Sequence, residues 1–137
     1  MKYEIPIAPM GKPRMVRSDR WKKRPVVQRY WSFKDELVDL CGKAGYVQGE
    51  RIFFTVHVKM PKVSKKKAAE MLLTPKKTKP DLDNYLKSLM DILMPPGEGG
   101  DQSIHFGCCN KIWSAESKIV FYDNFREWME DNIAYLE

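Results

Sequence analysis

Residues 79–93 read KPDLDNYLKSLMDIL, and the fold turns on how that stretch is divided. Pro80 stands where helices tend to begin, and Leu82, Leu86, Leu89 and Leu93 recur at the spacing of a buried helical stripe. The pattern predicts a helix from about Leu82 to Met94. Asp81 and Asp83 then occupy the loop-to-helix junction and the first turn. Residues two apart do not share a face of a regular helix, so both carboxylates can reach one ion only where the backbone is still turning. The competing reading is structural: an Asp at this point accepts backbone N–H bonds and complements the helix dipole, worth about 1 kcal/mol. Lys87 returns to the face of Asp83 one turn later and Asp91 follows after another, a spacing that a surface ion-pair stripe would also produce.

Upstream, KYEIPIA (2–8) begins as a strand, and Met10–Tyr30 is predicted as an extended loop rich in proline and cations. WSFKDELVDLCGKAG, from Trp31, predicts a helix with Phe33, Leu37, Leu40 and Cys41 on one face and glycines near its end. RIFFTVHVKM (51–60) alternates as a strand with Phe54, Val56, Val58 and Met60 on one side. SKKKAAEMLL (64–73) predicts a short helix capped by Ser64. Downstream, PPGEGG (95–100) ends the central helix, SIHFGCCNKIW and KIVFYD have strand character, and FREWMEDNIAYL places Phe125, Met129, Ile133 and Leu136 at helical spacing. The predicted class is α+β, a single mixed sheet with helices packed on it, in one domain spanning 1–137 with a C-terminal helix over 124–137.

Composition agrees with a self-sufficient domain, since a chain of 137 residues buries roughly two-thirds of its unfolded surface. Cys41 stands alone and Cys108 and Cys109 are adjacent, which is neither a disulfide framework nor a CxxC metal clip. No apolar run approaches the roughly 20 residues of a membrane helix and no signal-peptide core is present, so a reducing, cytoplasmic setting is expected. The net charge of +6 is unevenly spread: residues 1–79 hold 20 Lys and Arg against 7 Asp and Glu, and residues 80–137 hold 4 against 11. A cationic first half facing an acidic second half fits a polyanionic partner, with a solubilising surface as the alternative.

Residues 12–29 concentrate Lys12, Arg14, Arg17, Arg20, Lys22, Lys23, Arg24 and Arg29 around Trp21, with Tyr30 and Trp31 following. Such a loop can hold phosphates while an aromatic ring stacks on an unpaired base; the simpler view leaves Trp31 buried at the helix start. Lys65, Lys66, Lys67, Lys76, Lys77 and Lys79 form a second cationic zone just before the acids. A further acid, Asp101, lies in GEGGDQS, where a chain reversal would return it toward Asp81 and Asp83. Carboxylates hold Mg²⁺ with water in its remaining positions, and a lysine ammonium stabilises charge on a phosphate. His57 is expected on the strand face opposite Phe54 and Val56 and His105 in a strand, so neither reads as a zinc ligand. Walker-type loops, Ser/His/Asp sets and dinucleotide fingerprints are absent.

KPDLDNYLKSLMDIL, followed by DQSI and a strand carrying Lys111, resembles the core signature of RusA-type Holliday junction resolvases, nucleases common in phages and prophages. IPIAPMGKPRMVRSDR and PKVSKKKAAEM resemble the family's first strand with its basic loop and its lysine-rich segment, so the likeness runs from about residue 3 to 122. The resemblance implies that Asp81, Asp83 and Asp101 bind Mg²⁺, with Mn²⁺ as a substitute, and that Lys87 is the catalytic lysine. Asp91 matches a recurrent family aspartate placed behind these ligands, and Lys111 joins the DNA-binding set. One departure stands out: Gly100 precedes Asp101 where the family has a second aspartate, a loss that Glu98 is positioned to offset. The expected activity is paired, symmetric cleavage of four-way DNA junctions by a homodimer. The alternatives are a branched-DNA-binding protein whose metal site has degenerated and a less selective metal nuclease.

Overall fold

The computed structural model describes residues 1–94 and 100–136. In chain order it comprises β1 (Lys2–Ile5), a 3-10 turn (Arg17–Arg20), α1 (Pro25–Ala44), β2 (Arg51–Lys59), α2 (Lys65–Met71), α3 (Leu82–Leu93), a second 3-10 turn (Asp101–Ser103), β3 (Phe106–Ser114), β4 (Lys118–Tyr122) and α4 (Phe125–Leu136). The strands make one mixed sheet in the order β1-β4-β2-β3, with β4 antiparallel to both neighbours and β3 parallel to β2. This is the α+β arrangement expected. Among the described residues no helix is long and apolar enough to cross a membrane.

Helices cover the sheet on both faces, and β2 records this in its side chains. Ile52, Phe53, Phe54, Thr55 and Val56 are all buried. Ile52, Phe54 and Val56 join Phe33 and Leu37 of α1 and Leu89 of α3 in the larger core, whereas Phe53 packs with Val120, Tyr122 and Trp128 in a smaller one under α4. The one-sided alternation expected for this strand is therefore replaced by burial on both sides, as happens when helices cover each face. Cys109 packs against the larger core and Cys108 against the smaller. His57 is half-buried with Nδ1 unpartnered, and burial pushes its imidazole down to about 4.

Two helices are set differently from their apolar pattern. Helix α1 begins at Pro25, six residues before Trp31, because a proline in the first turn gives up an N–H that has no helical partner anyway. Tyr30 is thereby turned into the core and Trp31 outward, at 44% exposure. On α4 the inward residues are Trp128 and Asn132, and Phe125, Ile133 and Leu136 face out. The reason is polar: Trp128 Nε1 donates to the Phe54 carbonyl at 3.1 Å, while Asn132 Oδ1 accepts from Thr55 Oγ1 and Asn110 Nδ2, both at 3.0 Å. Buried hydrogen-bonding groups must find partners, and these fix the helix rotation.

Candidate active site

Helix α3 carries the candidate site, and its core-facing side is Tyr85, Ser88, Leu89 and Ile92, with Leu86 and Leu93 only half-buried. The expected leucine stripe is thus rotated toward Tyr85, and Asp83 and Lys87 stay on the open side. Asp81 is the N-cap residue, yet its side chain makes no cap hydrogen bond. The structural role weighed against a metal ligand, acceptance of a backbone N–H, is unfilled. Asp81, Asp83, Asn84 and Lys87 line one shallow hollow of about 360 Å³.

Asn84 and Lys87 also border a second hollow, whose other wall is Lys12, Pro13, Arg14 and Met15. The chain from residue 11 to 15 lies directly on α3 because residue 11 is glycine: a Cβ there would meet Asn84 Nδ2 at 2.5 Å. Lys12 in turn borders a third hollow with Tyr30, Trp31, Asp91 and Asp101. The second hollow shares Asn84 and Lys87 with the first and Lys12 with the third, so the three adjoin in a row, a trough with Asp81 and Asp83 at one end and Asp91 and Asp101 at the other.

This arrangement corrects one expectation. Asp101 does not meet Asp81 and Asp83: among the described residues no group of three or more acids, histidines or cysteines is gathered closely enough to hold a metal ion. Asp101 lines a hollow with Asp91, and Asp83 and Asp91 are separated by roughly 12 Å of helix. Between the acid pairs, Lys12 Nζ bonds Asp91 Oδ2 at 2.6 Å. Burial opposes ionisation of Asp91, but the Lys12 ammonium and hydrogen bonding with Asp101 outweigh it and hold the carboxyl below its usual range. The same contact raises Lys12. Gly100, where the resemblance leads one to expect an acid, has φ 57° and ψ −169°, a conformation essentially reserved for glycine. Glu98 lies outside the described residues.

The cationic residues fall into two groups. Arg14, Arg17, Arg20, Lys22 and Lys23 are exposed, as are Arg29 and, on the second zone, Lys65, Lys66, Lys67, Lys77 and Lys79. The basic loop is folded rather than extended: Arg24 Nε and an η nitrogen bond both carboxylate oxygens of Asp19, at 2.7 and 2.8 Å, and Arg24 also donates to the Arg14 carbonyl. Trp21 projects from it at 64% exposure. In the second zone α2 buries nothing, and Ser64 Oγ accepts from Lys67 N as a cap, as expected.

Lys76 and Lys111 do not belong with the exposed cations. Lys76 is 5% exposed, and its ammonium donates to the Thr78 carbonyl, Thr78 Oγ1 and the Lys79 carbonyl. Lys111 Nζ donates to the carbonyls of Thr78 at 2.7 Å and Pro80 at 2.8 Å. Both were expected to meet DNA, but their donors are turned onto the backbone just before Asp81. Nothing in the sequence separates Lys76 from the exposed lysines beside it. His105 precedes β3 rather than lying within it, exposed and 3.9 Å from Glu50.

Comparison with known proteins bears on this geometry. No curated protein and no solved structure matches the chain. The sequence model of the family described as Endodeoxyribonuclease RusA matches residues 5–120, which takes in the last residue of β1, the basic loop, the trough, β2 and β3 in full and the start of β4. With a match over most of its length, and the acids and lysine of the trough inside it, the chain belongs to the RusA endodeoxyribonuclease family.

Proposed function

We propose that the protein is a Mg²⁺-dependent, structure-selective endonuclease that resolves four-way DNA junctions by paired symmetric cuts. The observation that carries this is the pair Asp81 and Asp83, with Asp81 free of capping duty, sharing a hollow with Lys87 beside a cationic loop. Mg²⁺ is ordinarily held by one or two carboxylates together with water and substrate phosphate oxygens, so this pair fits the ion without a third acid in place. Asp81 and Asp83 would hold it, and Mn²⁺ suits the same oxygen donors, while Asp101 stands with Asp91 at the far end of the trough. When bound, the ion supplies a polarised water and neutralises charge on the scissile phosphate. Lys87 places an ammonium beside that phosphate and stabilises the added charge as water attacks phosphorus and the 3′ oxygen leaves, giving a 5′-phosphate and a 3′-hydroxyl. Arg14, Arg17, Arg20, Lys22 and Lys23 hold the flanking backbone, and Trp21 is free to stack on an unpaired base at the branch.

A four-way junction is cut on two strands, so a two-fold homodimer is the economical assembly. The outward apolar face of α4 supports it: Phe125, Ile133 and Leu136 are exposed beside Phe106, whose ring meets Phe125 edge-on at 6.3 Å. Gly100, in place of a family acid, favours a second reading in which the protein binds branched DNA without cutting it. Labelled four-way junctions and linear duplex incubated in Mg²⁺ with the parent and Asp83→Asn decide between them. Paired nicks from the parent alone support resolution, whereas tight binding with no metal-dependent product supports the second reading.

A further inference from the structure

The segment leading to the acids is fastened at two levels. Residues 73–76 run antiparallel along the free edge of β3: Leu73 N bonds the Trp113 carbonyl at 2.9 Å, Trp113 N the Thr74 carbonyl at 2.9 Å, and Lys76 N the Lys111 carbonyl at 3.0 Å. Pro75 and Ile112 are bridge partners at the centre of this zipper. Beyond it the chain leaves the sheet, and the next three carbonyls, of Thr78, Lys79 and Pro80, all point back at the ammonium groups of Lys76 and Lys111. The Lys76 ammonium also lies over the Trp113 ring, 5.2 Å from its centroid. Asp81 is the next residue, and there helix α3 begins.

Two like charges brought together in a half-buried place is an arrangement that needs a reason. Burial and the neighbouring Lys111 ammonium both push Lys76 below the usual lysine value. Aligned carbonyls supply one: those of Thr78, Lys79 and Pro80 are three consecutive acceptors, and each takes a donor from one or both of the two ammonium groups. Each ammonium has three donors, and Lys76 and Lys111 approach from different elements, so together they satisfy a run of three consecutive carbonyls that neither covers alone.

We infer that Lys76 and Lys111 are positioning residues that lock the Thr78–Pro80 backbone and thereby aim Asp81 and Asp83 at the divalent ion, without contacting DNA themselves. The inference rests on the proposed metal-dependent cleavage. Its chemistry separates these two lysines from Lys77, one residue away and exposed. A lysine that touches phosphate contributes about 0.9 to the slope of log binding constant against log salt. A group that orients a metal ligand instead changes metal affinity, by about 10- to 100-fold.

The test uses the full chain and three single variants, Lys76→Met, Lys111→Met and Lys77→Met. Mn²⁺ affinity is read by electron paramagnetic resonance of the free ion, and binding of a four-way junction is titrated in Ca²⁺ across a salt series. Lys76→Met and Lys111→Met should each weaken Mn²⁺ binding at least about tenfold and leave the salt slope at the parent value. Lys77→Met should lower the slope by about 0.9 and leave Mn²⁺ affinity unchanged. Lys111→Arg, which keeps a cation in reach of the carbonyls, should restore most of the affinity. A reduced slope with parent-like Mn²⁺ affinity in Lys76→Met or Lys111→Met makes them DNA contacts and overturns the inference. If Lys76→Met fails to fold by circular dichroism, Lys111→Met decides, since that side chain is only half-buried. A parent that takes up no Mn²⁺ overturns the metal reading itself, and the inference with it.

Discussion

Gly100 shows how one backbone conformation can remove a functional group. The family resemblance leads one to expect an aspartate there, and this chain has glycine with φ 57° and ψ −169°. Restoring the acid should therefore harm the protein: Gly100→Asp is expected to cost about 1–3 kcal/mol, read as a lowered urea midpoint with an unchanged m-value. His57 makes a second prediction at this scale. Its folded value is about 4 against an ordinary 6.5, mainly through burial and then through Lys118. The unfolded chain binds more protons between those values, so stability is complete above about pH 6.5 and declines as pH falls toward 4. Denaturant midpoints measured across that window should drop, and His57→Gln should flatten the decline. The sequence placed His57 on the correct strand face, but a side chain's desolvation depends on helix and strand neighbours that spacing does not reveal.

At the scale of elements, the contact of residues 11–15 with α3 is the one on which the trough depends. Gly11→Ala puts a methyl group 2.5 Å from Asn84 Nδ2, so the loop or the Asn84 side chain must move. Cleavage should fall by about tenfold or more, since a displacement near 1 Å at a catalytic centre is enough for that, while helix content by circular dichroism stays the same. The existence and type of most elements were legible because α3, β2 and α4 carry strong periodicity. Their rotation was less so. Asn132 is polar and reads as solvent-facing, yet Thr55, Asn110 and the Trp128 carbonyl satisfy it inside. Those partners lie up to 77 residues away in sequence, beyond the reach of any local pattern. The early start of α1 is hidden for the opposite reason: Pro25 sits inside a proline-rich stretch that reads as loop.

For the whole molecule, the candidate site was legible in composition and only partly in placement. Asp81, Asp83 and Lys87 share a hollow because one turn of helix sets them there, a relation the spacing carries. Asp101 lines one hollow with Asp91 and Lys12, a tertiary placement that no local spacing carries. Assembly is testable at the same scale. Ile133 is 48% exposed on the outward face of α4. Ile133→Glu should shift the protein from dimer to monomer in sedimentation velocity while leaving its circular dichroism intact, and it should convert paired junction cuts into single nicks.

The strand order has a consequence for synthesis. Lys2–Ile5 is synthesised well before its sole neighbour in the sheet, Lys118–Tyr122, with β2 and β3 made in between. Pairings so distant along the chain form late. A translation product that stops short of residue 118 lacks the strand that joins β1 to β2, so interrupted synthesis yields a chain unable to close its sheet. Cutting competence waits on the synthesis of β4, and the nucleic acid around the ribosome is spared from a half-built nuclease.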